Sequence, residues 1–486
     1  MANNGVHVNQ RATSVATPVV ATSGIPYFEG AAPVHTATKP AKANVPVLCT
    51  SWDEAVEKLG FSWDWKKYPI CEAMYSHFQL FARQPAIFCN VLDPATKKAP
   101  VSAREYAVTD HKVALPLEAV NDATLKVEIE GPEVDGVSEL TTLVKDEDYS
   151  AYYDADEDKL YVELLSESEH YAETSLTISY TAVTPAAIAV TDIVRGANVV
   201  DHCMSMVGVI PDLLLAPGWS HNTVVAAILA TKAAGINGLF AAKALIDCDT
   251  SENGVREYSE LFPYKNNNNL VDENQIVCWP MLKLGEYKFH MATQLAGLMA
   301  TIDSLNGGCP YESPSNKTFK MDGCILEDGT EVNLTFEQSN IISDYGIVTA
   351  LNFMGMGWTC RNNYTACYPG NTDVKDYFIP VSRMFGWVGN TLIRTFWGKL
   401  DKPSIPRLVD TIIDTCKEWL DGQVNAEHLL GARLEFRADE NPLTDLMAGI
   451  IRIHIYMTPP SPAQEIDFTL EYDVEYIRAT FAALAA

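Results

Sequence analysis

The chain has 486 residues, of which 47% are hydrophobic and 20% charged, and its formal net charge is −28. That length accommodates two to four domains with sizeable cores, and the composition excludes a wholly disordered chain. With 63 acidic against 35 basic residues the chain repels a phosphate backbone, so no nucleic-acid binding is expected. No apolar run approaches the roughly 20 residues of a membrane span.

The opening MANNGVHVNQRATSVATP lacks the basic start and apolar block of a secretory signal. Eleven cysteines without C-x-x-C spacing then suit reduced thiols in a cytoplasm. Residues 1–30 form an extended arm. Its short alternation, Val6 and Val8 around His7, orders only by pairing with a sheet edge, its own or a neighbour's. Residues 45–92 follow a strand–helix–helix–strand pattern. PVLCT is the first strand, and Ser51 with Glu54 predicts a capping box for a helix ending at Leu59. An amphipathic helix over residues 70–83 puts Met74, Phe78 and Phe81 on one face, and AIFCNVL is the second strand.

Residues 101–189 change character. LKVEIEG, YSAYY, KLYVELL and SLTISYTAV alternate between acidic turns, which predicts an antiparallel β-sandwich. From Glu118 to Glu173 there are 18 acidic and 3 basic residues, a local net of −15. The α/β pattern then resumes with LLLAPGWSHN, ALIDCD and a helix from about His290 to Leu305, so the β unit is inserted. Four units follow: an arm (1–30), an α/β core (31–100 with 190–370), the inserted acidic sandwich (101–189) and an α+β C-terminal domain (371–486). In the last, residues 376–397 and 405–420 are helical and residues 451–457 alternate. In IDFTLEYDVEY every even position is apolar or aromatic (Ile466, Phe468, Leu470, Tyr472, Val474 and Tyr476) and every odd one polar up to Glu475. That pattern predicts a half-buried strand, paired antiparallel with residues 451–457 across TPPSPAQE.

Candidate chemistry is sparse. Gly218-Trp219-Ser220-His221-Asn222 follows an apolar strand and precedes a helix, where α/β hydrolases place a nucleophile, but the second glycine of G-x-S-x-G is absent. His221 points away from its neighbour at the helix start, so Ser220 is expected to cap the following helix. Asp154, Asp156 and Asp158 open like a calcium loop, yet Lys159 and Leu165 occupy the glycine and glutamate positions, so a hairpin turn is expected. No zinc spacing or phosphate-binding loop is present, and Gly355-Met356-Gly357 lacks a third glycine. The expectation is a protein with no catalytic residues, metal or cofactor. A hydrolase using Ser220 is the alternative, and a receptor-binding protein acting through its acidic β unit is a third reading.

Six segments in order resemble the contractile tail sheath proteins of bacteriophages and phage-tail-like bacteriocins. They are GVHVNQRATSV…GIPYFEGAAPV, VPVLCTSWDEAVEKLG…FQLFARQPAIFCNVLDP, LLLAPGWSHNTVVAAILATKAAG…ALIDCD, QLAGLMATIDSLNGG…ESPSNK, VSRMFGWVGNTLIRTFWG and AGIIRIHIYMTPPSPAQEIDFTLEYDVEY. The resemblance implies a subtilisin-like α/β core without a protease triad, an outer β-sandwich insertion, and a C-terminal domain whose sheet receives arms from neighbouring subunits. It also implies stacked hexameric rings around an inner tail tube, contraction driven by stored conformational energy, and baseplate and tail terminator proteins as partners. The location would be a virion tail or tail-like particle assembled in the bacterial cytoplasm. Val6, Val8 and the alternating residues 466–476 would make the inter-subunit handshake, and Arg383 and Arg394 are candidates to face the tube.

Overall fold

A computed structural model describes residues 18–134 and 137–482. Strands β1 (Pro26–Gly30), β2 (Pro46–Cys49) and β3 (Ala86–Asn90) come first. They are followed by β4 (Lys98–Ala107), β5 (Lys112–Pro116), β6 (Lys126–Val134), β7 (Val137–Thr142), β8 (Tyr149–Asp154), β9 (Lys159–Leu164) and β10 (Ser175–Val183). Next are β11 (Leu213–Leu215), β12 (Lys243–Asp247), β13 (Gln275–Cys278) and a small sheet of β14 (Met281–Leu284), β15 (Tyr287–Phe289) and β16 (Gly323–Ile325). The last are β17 (Ile347–Asn352), β18 (Trp358–Arg361), β19 (Gly431–Glu435) and β20 (His454–Thr458).

The large sheet runs β18-β17-β13-β12-β11-β1-β3-β2. It is parallel from β17 to β3 and antiparallel at both edges. Strands β1, β3, β11, β12 and β13 are buried along their whole length. Burial on both faces explains their continuous apolar runs and their lack of alternation. Helix α1 (Trp52–Leu59), α2 (Pro69–Met74), α3 (Val190–Val199), α4 (Thr223–Ala234) and the almost wholly buried α5 (Met291–Leu305) belong to this layer. In α5 the Phe81 ring lies against Gly297, where a Cβ would sit 2.4 Å from a ring carbon, so only glycine admits this approach. All eleven cysteines are buried thiols.

Strands β4–β10 form a separate sandwich, β4-β10-β6-β7 over β5-β9-β8, around a core of its own that includes Val127, Leu160, Val162, Leu176 and Ile178. Entry and exit lie side by side, since Lys98 opposes Val183 and the Thr184 N–H donates to the Lys97 carbonyl at 2.9 Å. The Asp154–Lys159 turn is a hairpin, with Asp154 Oδ1 accepting from the Asp156 and Glu157 N–H groups. Asp158 reaches out of it to accept the Trp63 N–H at 3.0 Å, docking the sandwich on the core.

Local structure departs from the sequence expectations in several places. Ser51 does cap α1, but Glu54 accepts from Thr50 instead of completing the box at Ser51. Residues 70–83 do not form one α-helix: α2 ends at Met74 and Tyr75–Leu80 continues as a π-helix. The segment assigned to the arm contains β1, an interior strand of the large sheet between β11 and β3. Between Gly24 and Gly30, PYFEG was too short and too interrupted to stand out. The strand expected over residues 466–476 is not formed. Residues 459–473 have no regular structure and Val474–Ala482 is a short exposed helix. The partner of β20 is β19, with Gly431 opposite Thr458 and Glu435 opposite His454. Pro459, Pro460 and Pro462 explain the difference, because a proline-rich linker is semi-rigid and extended and does not turn the chain back in a hairpin.

Candidate functional site

Two places could carry function: the Ser220 corner and the C-terminal layer. At the corner the chain leaves β11 through Gly218, whose φ of +72° suits glycine, and the Ser220 N–H bonds the Ala216 carbonyl at 2.9 Å. Asn222, not Ser220, is the N-cap of α4, and its side chain accepts from the Val224 and Val225 N–H groups. Ser220 lies two residues too early and is turned inward. It is 1% exposed, its Oγ accepts the Asp247 N–H at 3.0 Å and donates to Asp247 Oδ2 at 3.3 Å. Asp247 Oδ1 accepts the Ala292 N–H at 2.9 Å, at the first turn of α5.

The same helix terminus holds a second carboxylate. Glu72 of α2 accepts both the backbone N–H and the Nδ1 of His290, each at 2.7 Å. Burial alone would lower the His290 pKa, but the Glu72 charge outweighs it and the value rises to about 9. Burial raises Asp247 to about 6. Two carboxylates thus complement the positive end of α5 and tie it to α2, β11 and β12. The serine's hydrogen bonds go to an aspartate and the histidine is bonded to Glu72. This is the chemistry of a structural junction, not of a nucleophile paired with a base. Among the described residues no group of His, Cys, Asp and Glu is placed to hold a metal ion, and no helix is long and apolar enough to cross a membrane.

The C-terminal layer is built from α6 (Ile379–Phe396), α7 (Pro406–Asn425) and the β19–β20 pair, around Met384, Trp387, Trp419, Leu420 and Leu429. Among the described residues β19 and β20 pair only with each other, so both outer edges of this sheet are open. About half of the exposed large apolar side chains lie beyond residue 396. Ile466, Phe468, Leu470, Tyr472, Val474 and Tyr476 are between 56% and 94% exposed. Contiguous exposed apolar side chains of this kind are a common feature of interaction surfaces.

Val6 and Val8 lie outside the described residues. Arg383 does not face outward: its guanidinium, 3% exposed, is buried between Asp212 (2.7 Å) and Asp303. A fully desolvated cation needs such partners, and these two bind α6 to the core. Arg394 is partly exposed and donates to the Val20 carbonyl at 3.0 Å. Sequence reasoning missed the Arg383 triad and the packing of residues 19–21 along α6, because neither partner set is near in sequence.

No protein-family profile matches the chain. It is 22% identical over 501 aligned residues to a tail sheath protein of Burkholderia phage BcepMu, covering 98% of this chain and 97% of that one. In fold it is similar to the sheath of an extracellular contractile injection system, the PVC sheath complex in the contracted state. That match has a TM-score of 0.58 and 12% identity, over 98% and 99% of the two chains. The helical sheath of the anti-feeding prophage in the contracted state matches with a TM-score of 0.58 and 13% identity, over 97% and 100%. The resemblance to contractile tail sheath proteins is therefore borne out in sequence and in fold along nearly the whole chain.

Proposed function

We propose that this chain is a structural subunit of a contractile sheath. The observation that carries the reading is the exposure of the apolar side chains that alternate along residues 466–476, set beyond a proline-rich linker on a molecule whose β19–β20 sheet has open edges. The segment from one copy adds as a strand to the β19–β20 edge of the next, burying Ile466, Phe468, Leu470, Tyr472, Val474 and Tyr476, and the Val6–Val8 stretch of another copy joins the same sheet. Such a contact is heterologous and does not close on itself, so it propagates into a helical tube. The subtilisin-like core would act as the rigid body of each subunit. Stacked hexameric rings around an inner tube, with baseplate and terminator proteins at the ends, are the assembly this reading entails. Contraction would release energy stored at assembly, the extended lattice being kinetically trapped, with subunits moving as rigid bodies on their linked arms.

The test is negative-stain microscopy of the purified protein. Tubes or ring stacks are expected, and deletion of residues 466–482 should leave folded monomers that form neither. Uniform monomers with an esterase or protease activity lost in Ser220→Ala would overturn the sheath reading in favour of a hydrolase.

A further inference from the structure

Residues 19–21 do not simply pass over the surface; they are laid along α6. The Val19 N–H donates to Thr395 Oγ1 at 3.0 Å, and the Val20 carbonyl accepts from Arg394 at 3.0 Å. The Ala21 N–H donates to Thr391 Oγ1 at 3.0 Å, and its carbonyl accepts from Trp387 Nε1 at 2.8 Å. Deeper in, Ser23 Oγ donates to the Gly308 carbonyl and the Ile25 N–H to Asp212, the carboxylate that also holds Arg383. Segment numbers fall as helix numbers rise, so the two run antiparallel.

The fit is metric. Four helix residues rise about 6 Å and two extended residues advance about 6.6 Å, so Val19 and Ala21, two residues apart, meet Thr395 and Thr391, one turn apart on the same helix row. Along the segment Val19, Val20 and Thr22 are exposed, while Ala21 and residues 23–25 are buried.

We infer that α6 is a guide rail for the N-terminal segment. Trp387, Thr391, Arg394 and Thr395 are positioning residues that fix where, and in which direction, residues 1–18 leave the subunit. The inference rests on the sheath reading in one respect: the direction of exit is what lets the arm reach the neighbour's sheet.

The experiment compares the full-length wild type with the double variant Thr391→Val, Thr395→Val and the conservative Thr391→Ser, Thr395→Ser. Two readouts are taken: hydrogen exchange at the Val19 and Ala21 amides, and tube formation by negative stain. The valine pair should speed exchange at both amides about tenfold, one hydrogen bond's worth each, leave the cooperative unfolding transition in place and abolish ordered tubes. The serine pair, which keeps both acceptors, should restore protection and tubes. Unchanged exchange in the valine variant overturns the rail. Faster exchange with normal tubes overturns its role in aiming the arm. A wild type that never polymerises removes the sheath reading alone, and the exchange readout then decides the rail by itself.

Discussion

Ser220 shows how a side chain's partners, not its place on a turn, determine what it can do. Its hydroxyl closes a ring with the backbone and carboxylate of Asp247. Ser220→Ala should therefore cost about 1–2 kcal/mol in urea unfolding, since it leaves a buried N–H unpaired. His290 supplies a pH signature. Its folded pKa, about 9, lies above the ordinary 6.5 because Glu72 holds the proton on. The stabilisation is complete below the unfolded value and fades as the pH climbs through about 9. Unfolding free energy should thus fall between pH 7 and about pH 10, and fall less steeply in Glu72→Gln; parallel curves for the two proteins would contradict the assignment. For Arg383, Arg383→Met should destabilise by about 3–5 kcal/mol, because Asp212 and Asp303 are left without their cation. Thermal melts of the monomer would show it.

At the scale of elements, residues 466–476 and β20 share one lesson. Alternation states that a segment has an apolar face, but not which sheet will receive it. Within one subunit β20 is paired with β19 and the distal segment is exposed. Placing a charge in the middle of that face, Leu470→Asp, should leave the melting of the monomer unchanged, because Leu470 is 94% exposed. On the proposed assembly it should prevent tube formation, because there the same position would be buried on a neighbour. Sedimentation after assembly is the measurement, and a normal pellet would remove residues 466–476 from the interface.

At the scale of the molecule, the sandwich is an appendage by its connections and by its core. Its ends meet at Lys97 and Thr184, and its buried residues form a separate cluster. Replacing residues 98–183 with a short Gly/Ser linker should leave the remaining sheet cooperatively folded. It should also remove half of the net negative charge, since residues 98–183 carry −14 of the −28. Assemblies lacking it should associate side by side at lower salt than intact ones, as light scattering across a salt series would show. Loss of cooperative unfolding would mean instead that the Asp158–Trp63 contact belongs to the core's own stability.

Period and composition by themselves determined the α/β character of the core, the acidic β unit between its halves, the cap at Ser51 and the presence of an unspent apolar face near the C-terminus. These depend on neighbours a few residues apart, where spacing and chemistry are visible in the chain. Only the tertiary structure decided that PYFEG is an interior strand of the large sheet, that Asn222 and not Ser220 caps α4, and that Arg383 is a buried tie. It also decided that β19 partners β20, leaving residues 466–476 free. Each of these depends on which distant groups meet, such as Asp212 with Asp303 around one guanidinium or Val19 with Thr395 along one helix. That choice is made by packing, which no local period encodes.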